Sequence, residues 1–414
     1  MALEQRQPQL LHEVDRATLV RRWPCWLEVD LDAVAANVAA IGRWVSPRVR
    51  LLAVVKAQAY GLGAVEVARA ALAAGAWGLA VARVGEGVQL RQAGIGAPIL
   101  VLGWIAPELA PVVVQHHLRP TVANLPQAEA CAEAARAQGR RLPVHVKVDT
   151  GLHRYGVALH EAVPFLRALG QFPTLDVEGL YTHFACADDA DPTVTREQLQ
   201  RFHAVRQALA REGLTFSLLH AANSAGTLGF PDAHLDAVRP GLAILGYRPS
   251  PHVPEAVPLR PAVSLRARVV RLMDLAPGAT VGYGGSFRAE RPMRVALVTL
   301  GYADGLPRCL SNHGELLVRG RRVRLVGRVS MDQCVVDVTS LPNVEVGDEV
   351  VAFGNQGDET ISLDEFAARS DTISHEALTR IGPRVPRLYL RRGAPVAVRS
   401  LSGDADPDEE SPSL

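Results

Sequence analysis

From Leu51 to about Gly246, short apolar runs alternate with Ala-rich stretches of helical period, which predicts repeated βα units around a parallel sheet. Eight runs stand out: Leu51 to Lys56, Gly78 to Ala82, Pro98 to Leu102, Arg119 to Val122, Pro143 to Asp149, Val177 to His183, Phe216 to His220 and Asp236 to Arg239. Eight strands of this kind predict a closed barrel. Between them, Leu199, Phe202, Val205 and Leu209 recur at helical spacing, and PQAEACAEAARAQG ends on a C-cap glycine, Gly139. Ahead of the barrel, Trp26 to Asp30 reads as an isolated strand with a place open elsewhere in the fold. A helix follows it, with Leu31, Val34, Val38, Ile41 and Val45 on one side.

After the Pro-rich segment Pro249 to Pro261 the texture changes to β-branched alternation, as in Arg322-Val323-Arg324-Leu325, with glycine turns between runs. One late helix is announced by a capping box, Ser362 with Glu365 three residues on. The expected organisation is an N-terminal extension (1–25), a (β/α)8 TIM-type barrel (26–248), a mostly β C-terminal domain (249–400) and an acidic, disordered tail (401–414).

Composition narrows the function. The 44 Lys+Arg against 43 Asp+Glu leave a net charge of +1, without the basic field that a nucleic-acid backbone attracts. Cys25, Cys131, Cys186, Cys309 and Cys334 are far apart and follow no metal or CxxC spacing, so they read as reduced cytoplasmic thiols. No stretch has the apolar length of a signal peptide or membrane span, and no metal site is expected.

Barrel enzymes place their reactive groups at the C-terminal ends of strands. The first strand finishes AVVKAQAYG, which puts Lys56 at the rim, where a desolvated lysine can form a Schiff base or, alternatively, sit in an ordinary ion pair. The sixth strand ends at His183, the seventh runs into HAANSAG, and the eighth ends at Arg239 before Pro240 and Gly241. Ser224 and the amides near Gly241 suit a phosphate, although NSAG is also an ordinary helix start. A phosphorylated cofactor with an amine-reactive aldehyde would link Lys56 to that pocket.

VVKAQAYG, HVKVDTGLHRYG, YTHFA, HAANSAG, VRPGLAILG, VGYGG, GYADGLPR and VSMDQ, in this order over residues 26 to 390, resemble the bacterial alanine racemases. The resemblance implies an enzyme that interconverts L- and D-alanine for peptidoglycan, with pyridoxal 5'-phosphate as cofactor. It makes Lys56 the lysine that carries the cofactor and the base on one face of the substrate, and Tyr283 the base on the other. By residue type alone, Tyr283 is a turn tyrosine between glycines. Inversion at Cα needs protons on both faces, which is why the reaction calls for two bases.

By the same resemblance Arg239 faces the pyridine nitrogen, with His220 its neighbour, and His183 lies beside the cofactor ring. A guanidinium does not readily give up a proton, so a ring nitrogen held by Arg239 stays unprotonated and stabilises a carbanion less. A structural ion pair at the barrel end is the alternative for Arg239. Tyr60, Asn223, Ser224, Gly241 and Leu242 match cofactor-binding positions, the last two through backbone amides. Arg154, Tyr302, Met331 and Asp332 match the substrate site, and the family's two shared sites imply a homodimer. Three departures stand out. Gln58 replaces the usual asparagine, His375 stands where a phosphate-touching tyrosine is usual, and Ser330 precedes Met331 where cysteine is frequent.

Period two puts His145, Lys147 and Asp149 on one face of a strand. The matching family lysine is often carbamylated, which gives the expectation for Lys147; pairing with Asp149 is the alternative. A racemase of serine or another small amino acid, and a non-catalytic barrel carrying the cofactor, remain the rival functions.

Overall fold

Eight parallel strands close on themselves between Arg50 and Val238 in the computed structural model, which describes residues 16–401. They are β1 (Arg50–Val54), β2 (Gly78–Val81), β3 (Ile99–Val101), β4 (Arg119–Val122), β5 (Leu142–Asp149), β6 (Leu175–Tyr181), β7 (Leu218–His220) and β8 (Ala237–Val238). Each pairs in parallel with the next, and β8 returns to β1, so the sheet is the expected TIM-type barrel. Leu52, Val54, Ala80, Leu100, Leu218 and Ala237 form an apolar cluster among these strands.

The strand ends differ from the sequence reading by one or two residues: β1 stops at Val54, β6 at Tyr181 and β8 at Val238. Lys56, His183 and Arg239 therefore lie just past the sheet, where a side chain is freed from the pleat. The covering helices follow their apolar periods. Thr193–Arg211 buries Leu199, Phe202, Val205 and Leu209. Leu125–Ala137 starts where Asn124 Oδ1 accepts the Gln127 N–H, and beyond it Gly139 takes a left-handed φ of 62°.

The chain divides into two compact units, with this barrel in residues 33–59 and 64–260. The other gathers the described residues through Asp32, the short piece Tyr60–Gly63, and Pro261 onward. Its sheet runs in the order Arg321–Arg324, Glu315–Val318, Glu349–Gln356, Val263–Leu275, Cys25–Asp30, Arg387–Arg391, Ala394–Arg399. The early strand Cys25–Asp30, which the sequence reading placed in residues 26–248 but left free to belong elsewhere, pairs here, antiparallel to Val263–Leu275 and parallel to Arg387–Arg391. Along Val263–Leu275 the alternate residues Val263, Leu265, Ala267 and Val269 are buried, the period-two signature of a half-covered strand.

Ser362 Oγ accepts the Glu365 N–H at 3.0 Å at the start of helix Leu363–Arg369. A second late helix, Ser374–Thr379, was not anticipated: it has six residues, and its N-cap is Ile373, which offers no capping side chain. Residues 1–15 of the expected extension, and the expected tail apart from Leu401, lie outside the described residues. Among the described residues no helix is long and apolar enough to cross a membrane, and no cluster of His, Cys, Asp and Glu is arranged to hold a metal.

Candidate active site

Lys56 sits two residues beyond β1 and opens one turn of left-handed helix, in which Ala57, Gln58, Ala59 and Tyr60 have φ of 51°, 58°, 51° and 59°. Left-handed geometry costs a side-chain-bearing residue about 1–2 kcal/mol, so something must hold this turn. Ala59 N–H returns to the Val55 carbonyl at 2.9 Å. Glu86, in the helix Val84–Gln92 that follows β2, accepts the Ala57 N–H at 2.6 Å with one oxygen and the N–H groups of Ala82 and Arg83 at 2.7 and 3.0 Å with the other. Gln58 Nε2 donates to Gln89 Oε1 at 2.5 Å, and the amide contact is returned at 3.5 Å. Sequence reasoning missed Glu86 and Gln89, because nothing in a helical stretch one βα unit away marks its partner.

Burial and the repulsion of Arg154 lower the pKa of the Lys56 amine, and Glu86 opposes them. Lys147, on β5, is buried and its amine is pulled down to about 8 by burial, then by Arg154 and Arg239, against Asp149 and with a further push from Lys56. Its Nζ lies 5.8 Å over the ring of Tyr155. Asp149 Oδ1 accepts the N–H groups of Gly151, Leu152 and His153 at 2.9–3.1 Å, and among the described residues it forms no ion pair with Lys147. Four cations thus share one end of the barrel, with Glu86 and Asp149 as their acidic neighbours.

Arg239 is 3% exposed and makes no ion pair among the described residues; burial brings its pKa down to about 10. Its Nη2 donates to the carbonyls of Thr182 and Ala221 at 2.8 and 2.9 Å and approaches His183 Nδ1 at 3.2 Å. Burial, with Arg239, Lys147, Arg154 and Lys56 around it, keeps the His183 imidazole neutral well below its ordinary range. Ser224 Oγ accepts the N–H groups of Gly241 and Ala243 at 2.9 and 3.2 Å, so the Gly241 amide expected to face a phosphate is engaged by a hydroxyl from the neighbouring loop. Asn223 Oδ1 accepts the Gly226 N–H at 2.8 Å and caps the short helix Ser224–Gly229.

Leu242 begins a short 3-10 helix in the barrel unit, and the expected Tyr60, Tyr283, Tyr302, Met331, Asp332 and His375 lie in the β-rich unit. Tyr283 is 73% exposed on a turn whose glycines 282, 284 and 285 all take left-handed φ; a Cβ on Gly284 would meet the Arg328 guanidinium at 3.1 Å. Tyr302 and Met331 are 44% and 52% exposed on two loops joined by the Tyr302 N–H to Ser330 carbonyl and Ala303 N–H to Met331 carbonyl bonds, both 3.0 Å. Gly301 permits that approach, since a Cβ there would lie 2.2 Å from the Met331 carbonyl oxygen. Arg384 bridges Asp332 at 2.6 Å and the buried Asp304 at 2.7 Å, two further partners the sequence did not reveal. Tyr60 and His375 meet in this unit, ring centroids 5.8 Å apart and tilted by 58°, with burial pushing the Tyr60 phenol up.

Comparison with known proteins identifies the family. The alanine racemase N-terminal domain matches residues 29–249 and the C-terminal domain residues 262–389. The alanine racemase of Desulfosudis oleivorans is 45% identical over 384 residues, covering 90% of this chain and 98% of its own. That of Symbiobacterium thermophilum is 46% identical over 366 residues, covering 88% and 97%. Among solved structures, alanine racemase from Clostridium difficile 630 superposes with a TM-score of 0.88 at 33% identity, covering 91% of this chain and 98% of that one. The Bacillus anthracis alanine racemase with bound L-Ala-P gives 0.85 at 39% identity, covering 92% and 99%. Both domains matched in order, over relatives covered almost end to end, place this chain in the alanine racemase family of isomerases.

Proposed function

We propose that the chain interconverts L- and D-alanine as a pyridoxal-5'-phosphate enzyme in the cytoplasm, supplying D-alanine for peptidoglycan. The observation that carries this reading is the crowding of Lys56, Lys147, Arg154 and Arg239 at one end of the barrel, with Glu86 and Asp149 the acidic groups acting on them. That donor set suits an anionic, phosphate-bearing aldehyde: cations to balance the phosphate, and an amine of lowered pKa to react. Lys56 would hold the cofactor covalently, with Tyr60, His183, Asn223, Ser224, Arg239, Gly241, Leu242 and His375 as its other contacts. When bound, pyridoxal phosphate supplies an electron sink for charge developing at the substrate Cα.

The chain's own groups move the protons. Once the substrate amine has displaced it from the cofactor, the Lys56 amine, its basicity lowered by burial, would be free to accept the Cα proton on one face. Tyr283 Oη serves the opposite face, and inversion follows when one group removes a proton and the other returns one. Arg154, Tyr302, Met331 and Asp332 position the substrate. Carbamylation of Lys147 would replace one of the crowded cations with an anion able to hold Arg154. In a homodimer, Tyr283, Tyr302 and Met331 of one protomer would complete the site of its partner; their exposure supports this.

Purified protein incubated with L-alanine in deuterated water, and with serine and larger amino acids in parallel, tests the reading. Deuterium at Cα together with D-alanine formation is expected, with alanine turned over faster than serine. No exchange with any small amino acid would sink it, and exchange without inversion would remove Tyr283 from its role.

A further inference from the structure

Behind Arg239 a line of hydrogen bonds runs down the inside of the barrel. Arg239 Nη1 donates to His220 Nδ1 at 2.7 Å, His220 Nε2 meets His145 Nδ1 at 2.9 Å, and His145 Nε2 meets Glu178 Oε2 at 3.1 Å. Glu178 in turn receives Arg119 Nε at 2.6 Å and Nη2 at 3.2 Å. Both histidines are fully buried. The Tyr181 ring stacks on His220 at 4.6 Å and 8°, with the Arg239 guanidinium 5.0 Å from its centroid and its hydroxyl 2.9 Å from Thr121 Oγ1. Gly179 leaves the room for His145: a Cβ there would come within 2.2 Å of the imidazole.

The direction of every bond in this line is determined. A guanidinium has no acceptor, so His220 Nδ1 must carry a lone pair. Burial holds both imidazoles neutral, His220 well below its ordinary range. A neutral His220 with an accepting Nδ1 has its proton on Nε2 and donates to His145 Nδ1. His145, accepting there, has its proton on Nε2 and donates to Glu178. Glu178 is the acceptor at the end: burial alone would raise it, but the bonds from His145 and Arg119 hold it down at about 2, so it is a carboxylate.

We propose that His145 and Glu178 are positioning residues that fix the tautomer of His220 and thereby hold Arg239 charged and oriented without a carboxylate beside it. The argument rests on the reading that Arg239 faces the cofactor's ring nitrogen. A carboxylate touching Arg239 would cancel its charge and draw it aside. Placed two imidazoles away, Glu178 instead polarises His145, then His220, and strengthens the acceptor that Arg239 uses. Sequence periodicity had put His145 on the same face as Lys147, but its partners come from β6 and β7.

The test begins on cofactor-free protein carrying 15N-labelled histidine. Long-range 15N–1H spectra should show His145 and His220 both neutral, with protons on Nε2 and none on Nδ1. A proton on Nδ1 of either ring overturns the relay. This measurement stands even if the wild type takes up no pyridoxal phosphate, an outcome that would sink the functional reading alone. In Glu178→Gln one amide must face both Arg119 and His145 with a single oxygen, so the His145 tautomer should become mixed. In the loaded enzyme kcat should fall roughly 10-fold with KM within about twofold, and the cofactor absorption band should shift. Should that variant not fold, His145→Gln and His145→Leu replace it. A glutamine can accept from His220 and donate to Glu178, so it should keep the band position and most of kcat where leucine does not. A folded Glu178→Gln with unchanged tautomers and band, or equal loss in the two His145 variants, would refute the proposal.

Discussion

The carboxylate of Glu86 accepts the amide N–H of Ala57 at 2.6 Å, and so one acidic side chain holds the first residue of the left-handed turn behind Lys56. Its other oxygen takes two more N–H groups, from Ala82 and Arg83. Glu86→Gln keeps the shape but turns one acceptor into a donor, leaving Ala57 or the Ala82–Arg83 pair facing an NH2 group. The expected loss is about 1–2 kcal/mol in chemical unfolding, the scale of a hydrogen bond to a charged group. Removing the negative charge that favours the Lys56 ammonium should also lower the pKa of Lys56 further, readable as an acid shift in its rate of reductive alkylation in the cofactor-free protein. Unchanged stability and unchanged Lys56 reactivity would show that the turn holds itself.

Gln58 lies within the same turn at a φ of 58°, a conformation that asparagine adopts more readily than glutamine. What glutamine adds is reach to Gln89. Gln89→Ala should destabilise by about 1 kcal/mol through the lost amide pair. In the Gln58→Asn background the shorter side chain no longer spans the gap, so the same substitution should cost less than half as much. A double-mutant cycle in urea measures the difference, and simple additivity would mean that the amide pair contributes nothing.

These clamps mark where the sequence stops being legible. The Glu365 carboxylate expected to complete a capping box pairs with Arg322 and Arg369 instead. All eight barrel strands, their order and the Ser362 cap of the late helix could be read from period and punctuation, because each depends on residues close in the chain. The end of β1 could not: the reading carried it through Lys56, while the backbone turns left-handed at Ala57, and AQAY holds no glycine or asparagine to announce that. Lys56, His183 and Arg239 could be singled out because they follow barrel strands within motifs. Glu86, Asp304, Arg384 and Glu178 were not, since each acts on a residue far away in sequence, and that pairing exists only once the strands are arranged. Ser374–Thr379 was missed for a local reason, an apolar N-cap at Ile373.

Lys147 carries a pH dependence of definite sign. Its folded pKa of about 8 lies below the ordinary 10.5, so the unfolded chain binds more protons than the folded one between these values. Stability should therefore rise as pH increases from 8 to 10.5, and below pH 8 the full penalty applies, on the order of 3 kcal/mol. Lys147→Met should be more stable than wild type at pH 7 in carbon-dioxide-free buffer and should flatten that rise in Tm. The same low pKa leaves about a tenth of the amine neutral at pH 7, enough to react with carbon dioxide. Added 13C-bicarbonate should give a carbamate signal that Lys147→Met lacks; a wild-type protein without that signal at high bicarbonate would leave Lys147 a bare amine.

His375 packs its ring against buried Tyr60 at 5.8 Å, where the family resemblance leads one to expect a tyrosine. An imidazole can donate to a phosphate but reaches less far than a tyrosine hydroxyl. His375→Tyr should be tolerated, changing the pyridoxal phosphate Kd by less than about tenfold, the scale of one hydrogen bond, with kcat at saturating cofactor within about twofold. Equilibrium dialysis and turnover at excess cofactor separate the two effects. A collapse of kcat with cofactor fully bound would place His375 in the chemistry instead.

The assignment of the two bases to one reaction predicts complementation between chains. Lys56 belongs to the barrel unit and Tyr283, 73% exposed, to the β-rich unit, so a homodimer that exchanges its β-rich faces would build each site from both protomers. Lys56→Ala chains lack one base and Tyr283→Phe chains the other, and each homodimer should be inactive. After denaturant-assisted subunit exchange at equal amounts, random pairing makes about half the dimers mixed, and each mixed dimer holds one site with both bases and one with neither. Racemisation should return to about a quarter of the wild-type rate per site, and it should scale with the mixed fraction as the mixing ratio is varied. Isotope-labelled chains followed by native mass spectrometry establish that exchange took place. No recovery after demonstrated exchange would put both bases on one chain, and a protein that sediments as an active monomer at assay concentration would remove the shared site altogether.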